Sequence, residues 1–246
     1  MRGSPLLLLS SSETPSRHAT RDEDFLDMSI PVADALKAIQ HEGFFVFENE
    51  KVGKRVLQFD QEVKSPAGFK FLARNSLDNP EILDITRSLL SRPWWAFVRL
   101  YSDILPSDYA FAFHAGPQRV ALAIQLWGPG STLAFPQGSH LHGITKENID
   151  ERLSNEWGLL AARLDMPETQ LTLQEGGVVM ADSRQCVRII TGQCITIGYA
   201  SENMLGHIGK MELPYSQEFE ETLEQLKSQG FDIRYKWKED KDPQPV

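Results

Sequence analysis

The sequence predicts an α+β protein in which helices flank a barrel or jelly roll of short strands. Three observations lead to this prediction: helical periodicity in the first third of the chain, a long series of short apolar segments separated by turn residues, and one amphipathic helix near the end. Helices followed by many strands and a last helix are typical of a β-barrel with helices packed around it.

Five segments have the pattern of helices. They are 29–43, 52–63, the stretch that opens at 79, 145–158 and 216–230. Asn79 is a predicted N-cap with Pro80 in the first helical position, which suits the fixed φ of proline. Gly43 and Gly230 can adopt the left-handed conformation that ends a helix.

The middle of the chain has the pattern of strands. The predicted strands are 43–47, 95–101, 109–113, 120–127, 132–135, 171–173, 178–181, 187–191 and 195–200. Within 120–127 the branched apolar residues fall on one side, and the other side carries Ala121, Ala123, Gln125 and Trp127. That second set is small or amphipathic, which predicts a wall that lines a cavity.

The length of 246 residues suits one domain, predicted over 25–232. Residues 1–24 are rich in Ser, Thr, Pro and charge and predict a disordered N-terminal tail, and 233–246 predict a charged C-terminal tail. The four leucines from Leu6 to Leu9 are too few for a signal peptide, and no run of about 18 apolar residues follows, so we expect a cytoplasmic protein.

The net charge of −9 argues against a nucleic-acid partner and against adhesion to an anionic membrane. The two cysteines, Cys186 and Cys194, lie in apolar surroundings and have no CxxC spacing. We therefore expect two buried, reduced thiols.

Three segments resemble, in the same order, motifs of the phytanoyl-CoA dioxygenase family. Residues 130–143 (GSTLAFPQGSHLHG) are similar to its "G-x-L" strand followed by "P-G-S-H-x-x-G", with Gln137 inserted. Residues 176–184 (GGVVMADSR) are similar to its "G-D-v-v-x-f-D-s-R" strand, and 43–46 to its N-terminal "dGf-v-v" unit. The resemblance covers roughly residues 30–200. It implies a double-stranded β-helix and, in the family, oxidation by iron and 2-oxoglutarate.

The resemblance also implies that the family's iron site is degenerate in this chain. The family holds iron with two histidines and one carboxylate. The H-x-D position is occupied by His114 and Gly116; related halogenases also have Gly there but keep both histidines. The second histidine position falls at Val187, beside Cys186, and the arginine that binds 2-oxoglutarate is best matched by the neutral Gln193. We therefore expect no metal and no cofactor.

Candidate catalytic residues are His114, Gln125 and Gln193, which would donate hydrogen bonds or move protons. Each has a simpler interpretation: His114 as a packed histidine, and the two glutamines as buried amides that satisfy the backbone.

Candidate substrate-binding residues are Phe113, Trp95, Trp127 and Tyr199, because aromatic side chains near a barrel mouth suit an apolar ligand. Large aromatic residues are more often core than pocket wall. Asp182 and Arg184 are expected to form a structural pair, and the histidines at 140 and 142 to stabilise their loop.

Three functions remain open from the sequence. The first is a non-oxidative enzyme, an isomerase or cyclase (a pericyclic, Diels–Alderase-type step included) in natural-product biosynthesis, acting on an apolar small molecule held in a reactive conformer. The second is a catalytically silent subunit that pairs with a related oxygenase. The third is an iron and 2-oxoglutarate dioxygenase whose ligands are displaced by the insertion at Gln137. No nucleic-acid or membrane partner is expected, and homo-oligomerisation stays open.

Overall fold

The computed structural model describes residues 29–101, 108–157 and 159–238. The predicted tail over 1–24 lies outside these residues, as does most of the predicted tail over 233–246. The part of 233–246 that is described is ordered: residues 235–237 form a strand. None of the described helices has the length and apolar character needed to cross a membrane.

Seven helices occur in the described residues. They are α1 (Val32–His41), α2 (Glu50–Leu57), α3 (Pro66–Arg74), α4 (Pro80–Leu89), α5 (Ser139–His142), α6 (Glu151–Trp157) and α7 (Gln217–Ser228). The predicted cap of α4 is confirmed, since Asn79 Oδ1 accepts a hydrogen bond of 2.8 Å from the N–H of Ile82.

Two predicted helices are shorter than expected. The one predicted over 52–63 ends at Leu57, and the chain re-enters a helix at Pro66 after the N-cap Ser65, so α3 was missed. The one predicted over 145–158 is divided into a 3-10 turn (Lys146–Asn148) and α6. The division occurs because Ile149 forms a β-bridge to Ala162.

The described residues also contain thirteen strands. They are β1 (Phe44–Glu48), β2 (Pro93–Tyr101), β3 (Ala110–Ala112), β4 (Ala121–Trp127), β5 (Ser131–Pro136), β6 (Leu160–Ala162), β7 (Glu168–Leu173), β8 (Gly177–Asp182), β9 (Arg188–Thr191), β10 (Cys194–Ser201), β11 (Met211–Leu213), β12 (Asp232–Ile233) and β13 (Tyr235–Trp237). Every strand predicted from the sequence is present, which confirms an α+β protein.

The strands form one large sheet and several small ones. The large sheet has the order β1-β8-β4-β10-β2-β12, and a three-stranded sheet has the order β7-β5-β9. Strand β3 pairs with β6 and also contacts the start of β9 through a bridge between Phe111 and Val187. Strand β13 pairs with β11.

The two faces of the large sheet contribute to different cores. From β4, Leu122, Ile124 and Leu126 pack in the core that includes residues of α1 to α4 and α7. Trp127 points the other way and packs against Leu133 of the three-stranded sheet. The predicted separation of the two faces of β4 is therefore confirmed.

Candidate functional site

A cavity of about 850 Å³ opens at one end of the space between the large sheet and the smaller sheets. We call it the mouth cavity. Its apolar lining includes Ala96, Phe97, Ala121, Phe113 and Met204. A volume of this size is in the range of small-molecule sites, which is about 300–1,000 Å³.

A β-bulge widens this end of the large sheet. Phe97 pairs with Gly198, whereas Trp95 pairs with Tyr199, so Ala96 is the extra residue and lines the cavity together with Phe97. Gly198 is required here, because a Cβ atom would lie 2.0 Å from the Phe97 ring. The Phe97 ring therefore covers the sheet, and no side chain of β10 fills the space at this point.

His114 is held on the cavity wall by the turn that follows β8. The backbone N–H groups of Phe113 and His114 both donate to the carbonyl of Ser183 at 3.0 Å. Arg184 Nη1 donates to the carbonyl of Pro117 at 2.7 Å. The loop that carries the imidazole is therefore fixed at both sides of His114.

The surroundings of His114 favour the neutral imidazole. Burial lowers its pKa, the nearby charge of Arg184 lowers it further, and the carboxylate of Asp182 raises it. The net pKa lies below the usual value of 6.5, so the ring is neutral at pH 7 and can accept a proton.

Ser183 supplies a second polar group to the same wall. It lines the mouth cavity and is almost fully buried. Its hydroxyl oxygen has no hydrogen-bond partner among the residues that the structure describes. A buried hydroxyl without a partner is costly, so a small rotation of this side chain toward a ligand or water in the adjacent cavity would be favourable.

Asp182 holds the turn together through a buried ion network. Arg184 donates to both of its carboxylate oxygens, from Nε at 2.9 Å and from Nη2 at 2.8 Å, and Arg119 Nε donates at 2.8 Å. Burial raises the pKa of Asp182, but these hydrogen bonds outweigh it and keep the pKa below the usual range. The predicted pair of Asp182 and Arg184 is confirmed, and Arg119 is an additional partner.

The residues that are present do not fit an iron ion. Among the described residues, no three His, Cys, Asp or Glu side chains form a group that could hold a metal. Gly116 has φ +146°, and a Cβ atom there would lie 2.9 Å from His114 Nε2, so an aspartate would collide with the histidine ring. The position of the family's second histidine is occupied by Val187, an apolar residue that forms a β-bridge with Phe111 and has no atom that binds a metal.

The residues present do not fit 2-oxoglutarate in the usual position either. The interior side of β10 carries Cys194, Thr196 and Gly198, none of which is a cation. Gln193 lies before β10 in the turn from β9 and is partly exposed, and it is not among the residues that line the cavity.

Both cysteines are buried and free, as expected, and burial raises the pKa of Cys186 to about 12.

The structure separates the other predicted site residues. Phe113 lines the mouth cavity, but Gln125 and Trp127 lie deeper in the same interior and are fully buried. Both side-chain atoms of Gln125 lack hydrogen-bond partners within the described residues. Trp95 and Tyr199 lie on the opposite face of the large sheet, where they border a separate cavity of about 400 Å³.

A stacking contact explains why Trp95 lies on the helix side of the large sheet. Trp95 stacks on Phe69 with ring centroids 4.6 Å apart, so it belongs to the core against the helices.

His140 is buried, and its Nδ1 lies 3.0 Å from Oε1 of Gln185, which confirms a role in stabilising its loop. His142 is exposed.

The sequence did not predict Ser183 or the four basic residues Lys64, Arg99, Lys210 and Lys236 as parts of a site. Arg99 gave a usable signal, because it interrupts the apolar run 95–101. Ser183 lies inside the "D-S-R" motif, but the motif itself indicates only an ion pair between the two charged residues at its ends.

No family model matches the chain, and no curated protein matches it. Several solved structures are similar to parts of it. HygX from Streptomyces hygroscopicus with iron bound has 12% identity and a TM-score of 0.47, over 76% of this chain and 92% of that one. SnoN, a non-heme α-ketoglutarate-dependent epimerase from nogalamycin biosynthesis, has 16% identity and a TM-score of 0.46, over 69% of this chain and 83% of that one. The carbocyclase SnoK has 14% identity and a TM-score of 0.43, over 68% of this chain and 83% of that one. Likeness at this level assigns nothing to the present chain.

Proposed function

We propose that this chain is a metal-independent, non-oxidative enzyme, an isomerase or cyclase of small molecules, on a double-stranded β-helix. The fold proposal is supported by the path of the chain. Strands β2, β4, β8 and β10 lie in the large sheet, and β3, β5, β7 and β9 lie on the opposite side. From β2 to β10 the chain thus alternates between the large sheet and the smaller sheets, except that β5, β6 and β7 follow one another in the smaller sheets, which supports a jelly roll.

The function proposal is carried by one observation: His114, with a neutral imidazole, and Ser183, whose buried hydroxyl has no partner in the described part of the chain, line the same 850 Å³ cavity. The imidazole can remove a proton from one carbon next to a carbonyl group and return it to another position. The Ser183 hydroxyl can donate a hydrogen bond to the oxygen that becomes negative in that step.

The apolar walls supply the second part of the proposed catalysis. Phe97 and Phe113 stack with ring centroids 5.1 Å apart and border the cavity. A rigid aromatic wall holds a flexible substrate in the folded conformer that reacts, which lowers the entropic barrier of an isomerisation or cyclisation.

A catalytically silent subunit is the second candidate. The deep part of the interior favours it, because the rings of Tyr101, Phe111 and Trp127 pack there into one buried cluster. A silent subunit does not require an open cavity lined by a neutral histidine and a serine, and the presence of this cavity favours the enzyme.

The test compares metabolites in the source organism with the native gene and with His114→Ala. An isomerase or cyclase of this type predicts that the compound that accumulates and the compound that is lost have the same elemental composition. His142→Ala, at an exposed histidine outside the cavity, is the matched control and should leave both compounds unchanged.

Two other outcomes overturn the proposal. A pair of compounds that differ by one oxygen atom, together with conversion of 2-oxoglutarate to succinate and about one iron per purified chain, identifies an oxygenase. An unchanged metabolite profile in the His114→Ala strain, with a related oxygenase that co-purifies with the chain, identifies a silent subunit.

A further inference from the structure

The lining of the mouth cavity has a charge opposite to that of the chain. The chain carries −9, yet the cavity is bordered by Lys64, Arg99, Lys210 and Lys236 and by a single carboxylate, Glu212. Lys236 forms a salt bridge of 2.8 Å with Glu212, so that carboxylate is already engaged. The cavity therefore has an excess of positive charge.

Three of these cations have no salt-bridge partner in the described ranges. Lys64, Arg99 and Lys210 form no salt bridge within the residues that the structure describes. Arg99 uses one nitrogen, Nη1, to donate to the carbonyl of Val98 at 3.0 Å. The remaining donors of its guanidinium group are available to a ligand.

Lys64 and Arg99 are close enough to repel each other. Burial lowers the pKa of Lys64 and the charge of Arg99 lowers it further, while Glu212 raises it. Glu212 offsets only part of this repulsion, because its carboxylate is already paired with Lys236. An anion bound between the two half-buried cations would relieve the rest. Both lie on the wall that also carries Phe97 and His114.

We propose that the mouth cavity binds the carboxylate of an amphipathic small molecule at Lys64, Arg99 and Lys210 and places its apolar body along Phe97 and Phe113, beside His114. The inference rests on the proposed function and names its substrate class. A guanidinium group presents two parallel N–H donors that match a carboxylate, and the two lysines of the same cavity add positive charge.

The test measures binding of three probes with the same apolar body by calorimetry at low salt. The probes are 4-phenylbutyrate, 4-phenylbutanol and 4-phenylbutylamine. The carboxylate should bind about tenfold more tightly than the alcohol, and the amine should bind more weakly than both. Added salt should reduce the preference for the carboxylate.

Variants show whether these cations bind the carboxylate. Arg99→Gln and Lys64→Gln should each weaken 4-phenylbutyrate by about fivefold to tenfold and leave 4-phenylbutanol unchanged. Lys54→Gln removes an exposed lysine of α2 outside the cavity and is the matched control. Because Lys64 precedes α3 and is only partly buried, its variant keeps the test valid if Arg99→Gln fails to fold.

Equal binding of the alcohol and the carboxylate, or equal loss in Lys54→Gln, would overturn the inference. Tighter binding of 2-oxoglutarate or of 4-phenylbutyl phosphate than of 4-phenylbutyrate would also overturn it, since the ligand would then be of a different class. Binding is measured without turnover, so its failure leaves the metabolite test of the proposed enzyme intact. Failure of the metabolite test likewise leaves the binding result intact.

Discussion

The two ends of the space between the sheets are built from the same strands but differ in how they are filled. At one end, which we call the packed end, Tyr101, Phe111, Trp127 and Phe135 form a buried aromatic cluster. At the other end lies the mouth cavity, which borders on Ala121. Strands β2, β4 and β10 run through both ends.

The difference follows from side-chain size along the strands. The interior positions of β4 are Ala121, Ala123, Gln125 and Trp127, which increase in size from the mouth to the packed end. Cross-strand pairing joins Ala123 to Gly198 of β10, and the ring of Phe97, which lines the cavity, lies against Gly198. Side-chain size along β4 is therefore one cause of the division of the interior into a core that stabilises the fold and a cavity that can hold a ligand.

The largest effect is expected at the packed end. Trp127→Ala removes a fully buried indole from a closed cluster and should lower the free energy of unfolding by about 3–5 kcal/mol, because the space cannot collapse. Urea unfolding checks it. Trp94→Ala, at a partly buried tryptophan outside this cluster, should cost clearly less. Equal losses would mean that the packed end is not a core.

The next effect is expected in the ion network below the mouth. Asp182→Asn leaves Arg184 and Arg119 without a charged partner and should lower the free energy of unfolding by about 3 kcal/mol at pH 7. Asp108→Asn, in an exposed pair with Arg163, should cost less than about 1 kcal/mol. Similar losses for the two variants would contradict a structural role of the network.

The same carboxylate predicts a pH dependence. Its pKa is below the usual range in the folded protein, so its stabilisation is complete above the unfolded pKa of about 3.9 and is lost as the pH falls through the lower folded value. The native protein should lose stability on acidification below about pH 4 more steeply than Asp182→Asn does. Unfolding curves at several pH values for both proteins measure this difference.

A smaller effect of opposite sign is expected between the two ends. Gln125 is fully buried and neither atom of its amide has a described partner, so Gln125→Met should be neutral or should stabilise by about 1 kcal/mol. Gln185 is the matched control: its amide nitrogen donates to the carbonyls of Pro136 and Cys186 at 3.0 Å. Gln185→Met should destabilise. A clear loss in Gln125→Met would instead show that its amide binds a buried water or ligand.

The positions of the strands along the chain and the two faces of β4 could be predicted from the sequence, because alternation with period two is a local property. The face of Trp95 could not, since the bulge at Ala96 shifts the alternation within β2. Tyr199 alternates with Ile195 and Ile197, which pack on the helices, so local spacing indicates the face on which it lies.

The charge of the cavity lies beyond local sequence patterns. Lys64 precedes α3, Arg99 is on β2 and Lys210 precedes β11, and only the tertiary fold brings them to one cavity. The motif resemblance indicated His114 and the ion pair of Asp182 and Arg184, because each lies in one short segment that is similar to a family motif. Residues that converge from distant segments leave no spacing to recognise.

The smallest effect on stability is expected at the mouth itself. Ala121 is buried beside Ala96 and Ala200, but it also borders the mouth cavity, so Ala121→Leu should lower the free energy of unfolding by less than the ~1–3 kcal/mol that overpacking of a closed position costs. Ala123→Leu is the matched control two residues along the same face, in a closed position opposite Gly198, where overpacking should cost about 1–3 kcal/mol.

The two leucine variants should rank in the reverse order for ligand binding. Ala121→Leu reduces the volume of the mouth cavity and should weaken every probe that enters it, the neutral 4-phenylbutanol included. Ala123→Leu, where it folds, should affect binding less because Ala123 does not line the cavity. A large loss of stability in Ala121→Leu would show that this end is packed in solution, and the division between a core and a binding cavity would then be wrong.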